Sequence, residues 1–248
     1  MFPRVLRVVA GLATVTALIS AGPLQATASP EVSATPQPPA AAQQSAAADR
    51  VPVVFVHGYK GGAWNFDEMR ADFRNDGWPA DRLFAIDYSI FQSNRDIAGI
   101  LEKYVDDVLR RTGASKVDIV AHSMGSLNSR WYIKYLSGAS KVRSWLSLGG
   151  PNHGTKVAKV CGWGVISCEE MEEGSQFLGE LNAGDETPGS VRYATYWSSC
   201  DLIIVPNRSV LVEGAQNNYV GCVDHLGLVW NDDVSRQVRG FLKQGATS

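Results

Sequence analysis

The sequence predicts an α/β fold, a mostly parallel sheet with helices on both faces. Three observations predict it. Val51-Pro-Val-Val-Phe-Val56 is an uninterrupted apolar run, the pattern of a strand covered on both sides rather than one facing water. Further short apolar runs follow at 83–88, 117–121, 145–148 and 193–197. Helical spacing lies between several of them, and strands that alternate with helices return in parallel through crossovers on the sheet faces.

The 248 residues do not all belong to that fold. Arg4 and Arg7 precede an apolar run over 8–19, and small residues follow up to Ala26-Thr27-Ala28. A basic start, a short apolar stretch and an Ala-x-Ala site predict a Sec-type signal peptide over 1–28, cleaved near Ala28, and with it a secreted, extracellular protein. The run is too short to span a bilayer, and Gly11, Thr14 and Thr16 dilute it. The two arginines are not adjacent, so no twin-arginine route is expected. Residues 29–49 are Pro, Ala, Gln and Ser with almost no large apolar side chain. Such a segment cannot offset its ordering entropy by burial and reads as a disordered linker.

Residues 50–248 are left as a single domain. The whole chain carries 23 basic and 25 acidic residues; losing Arg4 and Arg7 leaves 21 basic, a net charge of −4. No basic face is expected, which sets nucleic acid aside as a partner. No later stretch is apolar enough to span a membrane.

Within the domain, Ile97, Ile100, Leu101, Tyr104, Val105, Val108 and Leu109 recur at helical spacing. Ser93 or Asn94 can cap that helix, Asp96 suits its positive end and Gly113 can stop it. Shorter helical patterns cover 64–73 and 234–242. The stretch 156–190 is irregular: it holds a cysteine pair and the acidic run Glu169, Glu170, Glu172 and Glu173, read as a solvated helix face. Outside the cytoplasm four cysteines read as disulfides, and position favours Cys161–Cys168 and Cys200–Cys222. No Cys-x-x-Cys or nearby Cys/His pair is present, so neither a metal nor another cofactor is expected.

The chemistry gathers at Val117-Asp-Ile-Val-Ala-His-Ser-Met-Gly125, an apolar strand running into a turn and a helical pattern. This is the nucleophile-elbow pattern Gly-x-Ser-x-Gly with Ala121 in the first place. The turn is so tight that bulky neighbours two positions from Ser123 would collide, and Ala121 meets that need about as well as Gly. A serine nucleophile of this type is followed along the chain by an acid and then a histidine base. His57 and His122 precede Ser123, and no Asp or Glu lies between Ser123 and His153. Only His225 survives as the base. Asp201 follows the strand candidate 193–197, where a catalytic loop should sit. Asp185 lies in a Gly/Pro-rich turn and Asp224 adjoins His225; both stay open as the acid. A Cys200–Cys222 bridge would tie the acid loop to the base loop. The first strand ends in His57-Gly58-Tyr59, which places the backbone N–H groups of Tyr59 and Met124 as oxyanion donors. His57 is assigned to shaping that loop. The expected reaction is serine-mediated acyl transfer; the rival reading is a secreted binding protein on an inactive scaffold.

Val-His-Gly followed by Gly61-Gly62, then Lys116 to Gly125, then Tyr132-Ile-Lys-Tyr135, Leu148-Gly-Gly150, Ser198-Ser-Cys-Asp201 and His225-Leu-Gly-Leu228 resemble the small secreted bacterial lipases of class 2. The resemblance runs from about Val51 to Leu242. It implies a minimal α/β-hydrolase fold of about six strands, a Ser123, Asp201 and His225 triad, no metal, and ester substrates up to triacylglycerols met at a lipid–water interface by a monomer. Short-chain carboxylesterase, polyester depolymerase and phospholipase activities are the neighbouring possibilities. Two departures stand out. The region 150–190 is longer than in the smallest members and closer to actinomycete-type lipases, and Asp224 stands where the small lipases have Gly. Trp64, Trp163, Met124, Leu226 and Leu228 are candidates to line an acyl cleft.

Overall fold

The computed structural model describes residues 50–161 and 164–244. The signal-peptide and linker assignments, over 1–28 and 29–49, lie outside the described residues, as does Trp163.

Six strands form one sheet: β1 (Val53–Val56), β2 (Leu83–Ile86), β3 (Val117–His122), β4 (Val142–Leu148), β5 (Arg192–Trp197) and β6 (Gln216–Tyr219). Their order is β2-β1-β3-β4-β5-β6 and every pair is parallel. Val56 lies opposite both Ile86 and Ala121, His122 opposite Leu148, and Leu148 opposite Tyr196. That register brings the carboxyl ends of the strands to one edge, where side chains from distant parts of the sequence can converge.

Alternation along each strand divides the core in two. Val53 and Phe55 of β1 join Val120, Leu146 and Tyr196 on one face. There they meet Met69 and Phe73 of α1 (Asp67–Asn75) and Val234, Val238 and Phe241 of α4 (Asp232–Gln244). On the other face Val54, Val56, Ile119 and Trp145 meet Leu101, Val105 and Val108 of α2 (Asn94–Thr112) and Tyr132 and Ile133 of α3 (Gly125–Tyr135). Burial on both faces is why β1 carries no polar side chain.

The cap of α2 is Ser93, whose Oγ accepts from the Arg95 amide, and Gly113 at φ 68° ends the helix. One expected strand is longer than its apolar run, and one strand was not expected at all. β4 starts at Val142 rather than Trp145, because Arg143 stays in the strand by pairing with the buried Asp118 of β3. β6 carried no apolar signal; it is an edge strand on the backbone ladder of β5, reinforced by polar side chains. Thr195 Oγ1 donates to Asn217 Oδ1 at 2.7 Å, and Asn218 Nδ2 donates to the Thr195 carbonyl at 3.1 Å.

The stretch 156–190 contains a 3₁₀ turn (Lys156–Val160) and short helices Ile166–Glu169 and Gln176–Leu181. It packs above α2 and α3 through Met171, Phe177, Leu178 and Leu181 against Ile97, Met124 and Leu127. The acidic run needs correction here. Glu169 and Glu173 are exposed, but Glu170 is buried. Its carboxylate accepts from Ser93 Oγ at 2.6 Å, from the Asn94 amide at 2.6 Å and from Arg95 at 3.1 Å. A buried carboxylate facing a helix N-terminus is stabilised by the unpaired amides there, so Glu170 anchors this region to α2. The structure pairs Cys161 with Cys168 and Cys200 with Cys222, at Cα separations of 6.2 and 4.8 Å.

Candidate active site

Ser123 stands in the turn between β3 and α3 at φ 54°, a left-handed conformation that costs a residue with a side chain about 1–3 kcal/mol. The turn is held by packing. A Cβ on Gly125 would come within 2.5 Å of the carbonyl oxygens of Val56 and His57, so only glycine lets α3 start this close to β1. The Ser123 amide donates to the Leu148 carbonyl at 2.9 Å, which ties the turn to the end of β4.

His225 follows β6 and Asp201 follows β5. His225 Nε2 lies 2.9 Å from Ser123 Oγ, and His225 Nδ1 lies 2.7 Å from Asp201 Oδ2. A carboxylate can only accept, so Nδ1 carries the proton and Nε2 is free to receive one from Ser123. The other Asp201 oxygen accepts the amides of Ile203 and Ile204 at 2.9 and 3.0 Å. Burial alone would raise the Asp201 carboxyl; the His225 hydrogen bond and charge, with the two amides, hold it below the usual carboxylate range. The loops carrying the acid and the base are cross-linked by Cys200–Cys222 and by Ser198 Oγ, which accepts the amides of Cys200 and Val223 at 3.0 and 2.8 Å.

The competing acids are placed elsewhere. Asp185 Oδ1 accepts the Thr187 amide at 2.9 Å within an exposed turn, and Asp224 Oδ1 accepts the Gly227 amide at 2.9 Å in the turn that leads into the short helix Gly227–Trp230. His153 pairs with Glu186 at 2.8 Å, away from Ser123.

Met124 directly follows the serine, and Tyr59 lines the same cleft as Ser123. Among the described residues, no protein acceptor takes the amide hydrogen of either. His57 Nδ1 donates to the Gly58 carbonyl at 2.8 Å, and burial lowers its pKa. Gly58 passes so close to the nucleophile that a Cβ there would sit 2.7 Å from Ser123 Cβ.

His122 is the neighbour whose role the pattern did not reveal. It is buried, and its Nε2–H donates to the His225 carbonyl at 2.9 Å. Burial first, then the adjacent His225, push it down to about 3 from 6.5. A histidine held neutral in the folded state takes its proton only on unfolding. Its contribution is therefore intact above pH 6.5 and lost as pH falls from there toward 3. At pH 5 the loss amounts to about 2 kcal/mol. We expect His122→Gln to flatten the decline in unfolding free energy between pH 8 and pH 5, measured by urea titration. A difference between variant and parent that is the same at both pH values would contradict this.

A cleft of about 380 Å³ opens over Ser123 and His225. It is lined by Val157, Ala158, Val160, Cys161 and Met171 from the 156–190 region and by Ile203, Ile204 and Leu226 from the loops that carry the acid and the base. Of the cleft candidates named above, Leu226 lines it. Trp64 is 61% exposed and outside the lining, while Met124 and Leu228 are buried in the core. Among the described residues, no group of three or more His, Cys, Asp or Glu side chains converges as a metal site.

Residues 50–220 match the family model for class 2 lipases. The chain belongs to the class 2 lipase family. Two curated relatives of this class 2 lipase-family chain are named triacylglycerol lipase, from Pseudarthrobacter phenanthrenivorans and Burkholderia plantarii. Each is 32% identical over 123 residues, 45% of this chain. The matches cover 36% and 32% of those proteins, so the chain spans about a third of their length. Among solved structures, a mature lipase from Bacillus licheniformis superposes with a TM-score of 0.69 at 18% identity, over 78% of this chain and 92% of that one. Aspergillus fumigatus lipase B gives 0.67 at 18% identity, over 78% and 52%. These two share the α/β-hydrolase fold with the class 2 lipase-family domain described here.

Proposed function

We propose that this chain is a secreted serine hydrolase of carboxylic esters, with triacylglycerols as its substrates and an acyl-enzyme on Ser123 as its intermediate. The observation that carries the reading is the unbroken hydrogen-bonded relay from Asp201 through His225 to Ser123, at 2.7 and 2.9 Å, opening onto an apolar cleft.

In the cycle, His225 Nε2 takes the Ser123 hydroxyl proton as Oγ adds to the ester carbonyl carbon. The oxyanion so formed accepts the amides of Tyr59 and Met124, each such donor being worth about 10²–10³ in rate. Asp201 keeps the proton on Nδ1 and stabilises the imidazolium, which protonates the departing alkoxide. Water, deprotonated by His225, then releases the acid and restores Ser123.

Support for a lipid substrate comes from the rim. Val160 is 81% exposed, Leu202 79%, Leu226 47% and Ile203 44%, and three of the four line the cleft. Apolar side chains crowded at the mouth gain about 25 cal/mol per Å² when covered by lipid. The names of the curated relatives support the same substrate. Two disulfides and the N-terminal pattern support export. Among the described residues no helix is long and apolar enough to cross a membrane.

Rates on p-nitrophenyl esters from acetate to palmitate, with an emulsified triacylglycerol beside them, test the reading. Hydrolysis of the emulsion is expected; activity confined to acetate and butyrate would make the protein a short-chain carboxylesterase. Replacing Val160 and Leu202 together by Ser is expected to lower the emulsion rate by about tenfold, with p-nitrophenyl acetate hydrolysis unchanged. Equal losses on both substrates would count against a lipid-facing rim.

A further inference from the structure

We propose that Tyr88, just past β2, is a positioning residue that holds both oxyanion-donor segments through one hydroxyl group. This rests on the acyl-transfer reading above and adds a residue to it.

The Tyr88 hydroxyl donates to the carbonyl oxygen of His57 and accepts from Asn128 Nδ2 at 3.3 Å. On the first side the contact fixes the peptide that leads into Gly58 and Tyr59. The same tyrosine grips the His57 side chain. The two rings stack at 3.9 Å and 10°, and the Tyr88 amide approaches His57 Nε2 at 3.4 Å. With Nδ1 donating to the Gly58 carbonyl, His57 is held from both edges and one face. On the second side Asn128, fully buried in α3, has its Nδ2 3.4 Å from the Met124 carbonyl. One phenolic oxygen therefore connects the loop that presents the Tyr59 amide to the turn that presents the Met124 amide.

The loop needs such a hold. Lys60, directly after Tyr59, sits at φ 57°, a conformation that persists in a non-glycine residue only when its surroundings impose it. A hydrogen-bond donor that works on a developing charge must already point at it, because reorientation during the reaction erodes its contribution. Burial raises the Tyr88 pKa, so the hydroxyl stays protonated as the donor to His57.

Tyr88→Phe removes the hydroxyl and keeps the stacked ring. With p-nitrophenyl butyrate, kcat is expected to fall by about tenfold while KM stays within about twofold. The Ki of phenylboronic acid, whose adduct on Ser123 carries the tetrahedral anion, is expected to rise by the same factor. Asn128→Ala is expected to move kcat and Ki in the same direction by less. Unchanged kcat and Ki in Tyr88→Phe overturn the proposal, as does a fall in kcat with boronate affinity intact. Should Tyr88→Phe fail to fold, Asn128→Ala decides by the same two readouts. A stoichiometric burst of nitrophenolate from diethyl p-nitrophenyl phosphate, lost in Ser123→Ala, checks the acyl-transfer reading separately. No burst from the parent protein removes that reading and this inference with it; a full burst with unaltered Tyr88→Phe turnover removes only the role of Tyr88.

Discussion

Replacing Ser123 by Ala is expected to lower kcat for ester hydrolysis by about 10⁶, leaving a residual rate from the oxyanion donors and binding alone. The size of the effect follows from position. Ser123 Oγ is the only side-chain oxygen within 2.9 Å of His225 Nε2 among the described residues, so no neighbouring hydroxyl can take over. Stability should not fall, because alanine relieves no contact that the sheet depends on: the Ser123 amide keeps its bond to Leu148. The measurement is kcat on p-nitrophenyl butyrate with a urea-unfolding control. A variant that folds normally and retains hydrolysis within tenfold of the parent would falsify the nucleophile assignment and favour the inactive-scaffold reading.

The second large effect concerns the acid. Asp201→Asn is expected to cost about 10⁴ in kcat with little change in KM. Asparagine keeps the shape but presents an amide that favours the wrong tautomer of His225, and it removes the charge that stabilises the imidazolium. The alternatives differ sharply in expectation. Asp185→Ala and Asp224→Ala should each stay within about twofold, as surface substitutions do, because their carboxylates serve local turns. Kinetics on the three variants side by side decide the matter; a collapse in Asp224→Ala with Asp201→Asn active would reassign the acid. Since the Asp201 carboxyl lies below its ordinary range, its contribution to folding is present at neutral pH and lost only as pH falls through that lowered pKa. That separates it from the histidine effect, which begins at higher pH.

The sequence was legible where a residue's place is set by its neighbours along the chain. β1 and β3 could be read because both are buried throughout, β1 as four apolar residues and β3 with Val117, Ile119, Val120 and Ala121 apolar. The order Ser123, Asp201, His225 could be read because Ser123 and Asp201 each follow a legible strand and His225 alone of the four histidines satisfies the chain order, and the structure brings the three side chains together. β6 was invisible, since its Gln-Asn-Asn-Tyr residues pair with β5 through the backbone at the sheet edge and are mostly exposed. Glu170 was misread for a different reason. Its partners Ser93, Asn94 and Arg95 lie 75–77 positions earlier, and no local pattern distinguishes one buried glutamate within an acidic run. Tyr88 and His122 share that limit: what they do depends on segments that meet only in three dimensions.

The Cys200–Cys222 bond has a consequence for how the molecule withstands proteolysis. The exposed turn at Glu213 and Gly214 lies between the two cysteines and is open to a protease. Such a nick would separate the chain into a part that ends after Asp201 and a part that carries His225. The two parts would remain one molecule, because the bond joins them beside the very residues that must stay in register. Loss of function after such damage would therefore need a reductant as well as a protease, and a nicked preparation would run as two fragments only on a reducing gel.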